Sequence, residues 1–169
     1  LVSKVCESEA LTVELERAAR HDSLTGLLNR HGFELLLERL FEQTDQMHGL
    51  CFVDLDMFKV VNDTSGHAAG DRLIQEIAQL FLKELEGRGQ VARFGGDEFV
   101  IVWPACDGDE FRALILAIGR KLSPFRFQFD QQNFEVSGSF GALHFSAARH
   151  SRQSVMAIAD AACYEAKNS

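Results

Sequence analysis

No stretch of this 169-residue chain stays apolar for long, and the longest uninterrupted run, Ala113 to Ile118, falls far short of the roughly 20 residues that cross a bilayer. The first residues lack the basic-then-apolar pattern of a secretory leader. The chain is therefore expected to be cytoplasmic, with no membrane insertion of its own and any attachment to the inner membrane left to other parts of a longer protein. Basic residues are outnumbered, 17 Lys and Arg against 25 Asp and Glu, and the net charge of −8 argues against the broad cationic footprint that a nucleic-acid polymer requires. A small anionic ligand stays open where a metal and a few cations are local. Cys6, Cys51, Cys106 and Cys163 are scattered with no C-x-x-C pair, which gives no zinc pattern and reads as four reduced, structural thiols. The six histidines do not show the i, i+4 spacing of a helical zinc site; five read as surface residues, His67 being the exception. Neither G-x-x-x-x-G-K-[ST] nor G-x-G-x-x-G occurs, so phosphates must be held by something other than a P-loop or a dinucleotide fold.

What remains is the composition of one globular domain, 46% hydrophobic and 25% charged. Residues 1–20 carry spaced apolar positions (Val5, Leu11, Leu15, Ala18, Ala19) and no Gly or Pro, which predicts an amphipathic connector helix able to pair with a copy of itself. Residues 21–169 form the domain proper. A loop over His21 to Arg30 precedes a helix over Gly32 to Gln43, and Leu50 to Val53 reads as a buried strand ending in Asp54-Leu55-Asp56. A strongly periodic helix runs from Ala69 to Glu86, with Leu73, Ile74, Ile77, Leu80, Phe81 and Leu85 on one face. A hairpin, a helix over Asp109 to Leu122, a second hairpin (Phe125 to Asp130, Phe134 to Phe145) and a helix over Ser151 to Lys167 follow. Two hairpins require antiparallel neighbours, which excludes a purely parallel sheet. The order fits an α/β (α+β) sandwich with a mixed or antiparallel sheet, ferredoxin-like or palm-like.

The first hairpin holds the densest chemistry. In Arg93-Phe94-Gly95-Gly96-Asp97-Glu98-Phe99 a Gly-Gly turn joins two β-prone runs, because both residues accept positive φ, and puts two carboxylates at its tip. Taken alone, an ordinary solvated turn and a seat for a divalent metal and a nucleotide triphosphate are equally good readings. Asp54 and Asp56 tip the balance: alternation along a strand sends both to one face and Leu55 to the other, where two carboxylates repel unless something positive is near. Lys59, suited to phosphate oxygens, stands close behind, and Asn62 and Asp71 offer the hydrogen-bonding groups that read the amide edge and exocyclic amine of guanine, although both types also serve as turn formers and caps. His67 lies in the proposed nucleotide loop, Gly66 to Asp71.

Together these motifs resemble the GGDEF family, the diguanylate cyclases. The resemblance covers residues 21 to 167 and rests on Asp22-Ser23-Leu24-Thr25-Gly26-Leu27-Leu28-Asn29-Arg30, Asp54-Leu55-Asp56-Met57-Phe58-Lys59-Val60-Val61-Asn62-Asp63, Gly66-His67-Ala68-Ala69-Gly70-Asp71, the signature Gly95 to Phe99, Ser139-Phe140-Gly141, and Ala159 to Lys167. It implies a palm-like nucleotide cyclase fold that condenses two GTP into cyclic di-GMP as a transient homodimer, each domain holding one nucleotide. By motif position, Asp54, the Leu55 carbonyl and Asp97 or Glu98 would hold Mg2+ (or Mn2+), and one of the last two would help deprotonate the attacking hydroxyl. Asn62 and Asp71 would read guanine, with His67 and Phe58 at the nucleotide, and Lys59 and Lys167 would neutralise the triphosphate. Many members carry R-x-x-D upstream of the signature; here Glu86-Gly87-Arg88-Gly89 stands there, so product inhibition through that place is not expected. The Cys163-Tyr164 wording is similar to GGDEF domains fused to an EAL phosphodiesterase, some of which are GTP-binding regulators, and fused sensor and EAL domains are the expected partners.

Overall fold

Residues 2–169 are described by a computed structural model. The chain runs α1 (Val2–Arg20), α2 (Arg30–Phe41), β1 (Met47–Asp56), α3 (Phe58–Ser65), α4 (His67–Leu85), β2 (Gln90–Gly95), β3 (Glu98–Trp103), α5 (Gly108–Lys121), β4 (Phe125–Phe129), β5 (Gln132–Ser146) and α6 (Arg152–Lys167). The five strands form one sheet in the order β2-β3-β1-β5-β4, and every pairing is antiparallel. The expected palm-like α+β order is thus present, with the antiparallel of the two sheet forms.

Strand alternation divides the core. Cys51, Val53 and Leu55 of β1, with Phe99 and Ile101 of β3, meet Leu73, Ile74, Ile77 and Phe81 of α4 and Phe111 and Ile118 of α5. The opposite face, Leu50, Val100, Val102 and Phe145, is covered by Phe33, Leu37 and Leu40 of α2 and Val155 and Ala159 of α6. Burial of these apolar stripes on both faces is the main source of stability. Polar caps fix the helix starts: Asn29 accepts from Gly32 N–H, Asp107 from Asp109 and Glu110, and Ser151 forms a reciprocal box with Ser154.

Several expectations shift. The segment Gly66 to Asp71 is no loop: α4 begins at His67, directly after Gly66 at φ +84°, and a short helix α3 precedes it. That helix escapes pattern reading because its eight residues bury only Val61. His48 is no surface residue but fully buried in β1, and among the cysteines Cys6 is exposed on α1 while Cys51, Cys106 and Cys163 are buried. Helix α1 buries none of its side chains. Among the described residues no helix is long and apolar enough to cross a membrane.

Candidate active site

The signature turn is built by backbone geometry. Gly95 (φ +143°) and Gly96 (φ +49°) take conformations that a Cβ would strain, which closes β2 onto β3 and leaves Asp97 between the strands and Glu98 as the first residue of β3. The tip is tied to the end of β1, where Leu55 N–H donates to the Asp97 carbonyl at 3.1 Å. Register then collects the acids. Asp54 lies opposite Glu98 on β3 and Ser139 on β5, and Asp56 lies opposite Ser137, so all share the sheet face that α6 covers. Leu55 turns its side chain into the other face.

The two β1 aspartates find different compensation. Asp56 accepts from the hydroxyls of Ser137 (2.9 Å) and Ser139 (3.3 Å). Asp54 accepts from the ammonium of Lys167, at the C-terminal end of α6, at 2.7 Å, and that bond is the main reason Lys167 holds its proton more tightly than an ordinary lysine. Asp97 is half-buried; desolvation and the Asp54 carboxylate push its carboxyl above the usual range, with Lys167 opposing. Glu98 is pushed the same way by burial, Asp54, Asp97 and Asp160, with Arg30 opposing. At the tip Glu98 is exposed and Asp97 half-buried, and with Asp54 they form a mutually repelling group whose direct cation is Lys167.

Phe58, Lys59 and Asn62 come from α3, which starts two residues past Asp56 because Met57 adopts a left-handed turn (φ +70°). Asn62 packs against α4 so closely that a Cβ at Gly70 would collide with its carboxamide, and its Oδ1 is buried without a hydrogen bond. His67 and Asp71 lie exposed in the first turns of α4. The site residues therefore form two groups, the acids with Lys167 at the sheet end and the polar residues of α3 and α4 beside it, with no hydrogen bond or ion pair joining them among the described residues. No three His, Cys, Asp or Glu among the described residues are placed to cage a metal by themselves. Two carboxylates and a carbonyl, completed by substrate phosphates, nonetheless suit a hard cation such as magnesium.

Other residues come into view only in three dimensions. Arg93 donates to both oxygens of Asp22 (3.2 and 3.3 Å) and, through Nε and Nη2, to the Gly96 carbonyl (3.1 and 2.9 Å), bracing the signature turn against the junction after α1. Burial alone would raise the Asp22 carboxyl, but hydrogen bonds from Thr25 and the Arg93 charge hold it below its ordinary value. Arg30 lies over the Phe94 ring at 4.6 Å in a cleft of about 340 Å³ shared with Glu98 and Asp160. An arginine just before a glycine turn is the one sequence signal for the brace; of the serines beneath Asp56, Ser139 stands in a motif of the family resemblance and Ser137 carries no signal. At the place of the family's inhibitory motif, Arg88 donates to the Leu85 and Glu84 carbonyls and closes the end of α4.

Comparison with known proteins identifies the family and agrees with the overall fold. The family model "Diguanylate cyclase, GGDEF domain" matches residues 19–169. Over 171 residues the chain is 39% identical to the probable diguanylate cyclase DgcE of Escherichia coli K12, covering 99% of this chain and 16% of that protein. It is 34% identical over 170 residues to the cyclic di-GMP phosphodiesterase PdeB of Shewanella oneidensis, covering 96% of this chain and 19% of that protein. The chain thus spans under a fifth of either relative. The crystal structure of the coiled coil and GGDEF domain of DgcB from Caulobacter crescentus in complex with c-di-GMP superimposes with a TM-score of 0.86 at 29% identity, covering 99% of this chain and 92% of that one.

Proposed function

Because the chain belongs to the diguanylate cyclase GGDEF family, we propose that it condenses two GTP molecules into cyclic di-GMP and two pyrophosphates, two copies facing each other with one nucleotide each. The observation that carries this reading is the convergence of Asp54, Asp97, Glu98 and Lys167 at the end of the sheet from which α3 departs. In each half of the reaction a bond forms from the 3′-oxygen of one nucleotide to the α-phosphorus of the other, the bond from that phosphorus to the pyrophosphate oxygen breaks, and the hydroxyl proton leaves to a carboxylate. Glu98 or Asp97 suits that role, since burial and like charge raise its affinity for a proton. Asp54, the Leu55 carbonyl and Asp97 or Glu98 would hold Mg2+ or Mn2+, which when bound neutralises the charge of the triphosphate. Asn62 and Asp71 read guanine, with Phe58 and His67 beside it. Lys59 and Lys167 face the phosphates.

The measurement is pyrophosphate and cyclic di-GMP release from GTP with Mg2+ over a wide dilution of the protein, with ATP as the comparison. Turnover that needs GTP and whose rate per chain rises with concentration is expected; equal use of ATP removes the guanine assignment, because polar groups left unpaired discriminate strongly. A second reading is a GTP-binding domain that regulates a fused phosphodiesterase without turning over, favoured by the similarity to PdeB. GTP binding without pyrophosphate release at any concentration would establish it.

A further inference from the structure

We propose that Lys167 guards the cation seat: its ammonium and a divalent cation compete for the same Asp54 oxygen, so the cation is admitted fully only when a polyphosphate draws the lysine away. The inference rests on the reading of Asp54 as a metal ligand. Its basis is the 2.7 Å contact between Lys167 Nζ and Asp54 Oδ1, which places the ammonium on the carboxylate that the cation would share with Asp97 or Glu98. Asp56, the other carboxylate of that strand end, is already engaged by Ser137 and Ser139. Asp97 and Glu98 stand beside Asp54 but make no ion pair of their own among the described residues. An ammonium and a divalent cation sharing one oxygen repel each other strongly at such distances.

The lysine is built to yield. Its side chain is 41% exposed, against 22% for Asp54, so the ammonium reaches in from the solvent side. It also stands in the last turn of α6, where the helix carbonyls favour a positive charge. The flexible four-carbon stem lets the charged end move several ångström while α6 stays packed through Val155, Ala159 and Cys163. A triphosphate arriving at the same mouth offers the ammonium a second anion. Cation and polyphosphate then assist each other, and by linkage each raises the affinity of the other by the same factor. One residue thereby keeps the acid group compensated and makes admission of the cation conditional on the nucleotide.

The test is Mn2+ binding, read by electron paramagnetic resonance on the full chain with no nucleotide and then with a non-hydrolysable GTP analogue. Without nucleotide, Lys167→Gln is expected to bind Mn2+ about tenfold more tightly than the unsubstituted chain, because the competing charge is gone. Lys167→Arg, which keeps the charge, should stay near the unsubstituted value, and Lys83→Gln, which removes an exposed charge in the last turn of α4, should leave it unchanged. With the analogue, the advantage of Lys167→Gln should shrink or reverse. Equal or weaker Mn2+ binding by Lys167→Gln without nucleotide overturns the proposal while leaving Asp54 as a metal ligand. A comparable gain in Lys83→Gln overturns it too, since overall charge then explains the effect. No Mn2+ binding by any variant, with or without the analogue, overturns the cation part of the proposed function along with the guard.

Discussion

At the start of β1, His48 is fully buried and held neutral: desolvation depresses its proton affinity, Nδ1 accepts from the Ala105 N–H at 3.0 Å, and Phe145 packs on the ring. At the far end of the same strand, Asp54 and Asp56 stand beside Asp97 and Glu98, and there one ammonium and two hydroxyls donate to the β1 carboxylates. The difference is one of closure. The His48 end is buried, so a charge there is cut off from water and only partly offset by the Gln43 and Leu40 backbone; at the acid end Glu98 is exposed and Asp54, Asp56 and Asp97 are only partly buried. One strand thus carries a group whose ionisation opposes folding and a cluster whose mutual repulsion favours a bound cation.

The strongest way to break the comparison is at the acid end. Asp97→Ala should lower GTP turnover by about a hundredfold or more, while the melting temperature stays level or rises slightly, since a repelling carboxylate is removed and the backbone bond from Leu55 survives. A turnover assay beside circular dichroism checks both, and retained activity would remove Asp97 from the chemistry.

Between the two ends, Gly141 of β5 lies opposite Phe52 and lets α6 approach so closely that a Cβ would meet the Ala159 carbonyl and Cys163 nitrogen. Both are backbone atoms and cannot step aside. Gly141→Ala should therefore cost about 3 kcal/mol in urea unfolding and displace Lys167 from Asp54 with the rest of α6.

A smaller effect is expected where the acid-bearing turn is braced. Asp22→Asn leaves Arg93 without its carboxylate, at a cost of about 2 kcal/mol. The carboxyl's lowered proton affinity fixes the sign: its stabilisation is present above the ordinary carboxylate range and is lost as pH falls through the folded-state value, so the variant and the parent should converge in acid. A constant gap down to the lowest pH would show that the brace acts through shape rather than charge.

The slightest effect belongs to His48. Its folded-state proton affinity is below the ordinary imidazole value of 6.5, so the unfolded chain takes up more protons and stability falls as pH drops through that region. Melting temperatures of His48→Gln, which keeps an acceptor for Ala105, should fall less steeply below pH 6.5 than those of the parent. Parallel curves would mean that the ring protonates without leaving its pocket.

Much of this was legible in the sequence because the relevant patterns are local. The period of α4, the alternation of Asp54 and Asp56, and the Gly95-Gly96 turn each report a backbone geometry that their own residues impose. What was not legible depends on pairing across the chain. Ser137 and Ser139 become partners of Asp56 only through the β1–β5 register, and Lys167 meets Asp54 from 113 residues away. Helix α3 shows no period because its eight residues bury too little, and a lone histidine at the head of a strand, as His48 is, carries no sign of the layer that covers it. Which sheet form the hairpins would adopt also needed the strand order, which no single hairpin contains.

Helix α1 joins the rest of the molecule through the Ala19 and Arg20 carbonyls, which accept from the side chain and backbone of Asn29, while none of its own side chains is buried. Carbonyls are common to every amino acid, so the junction reads the presence of a helix end and not its sequence. The fitting is generic on one side and specific on the other, where Asn29, Asp22 and Arg93 are particular residues. A domain joined this way should accept helices of different composition ahead of residue 19 with little change in its core.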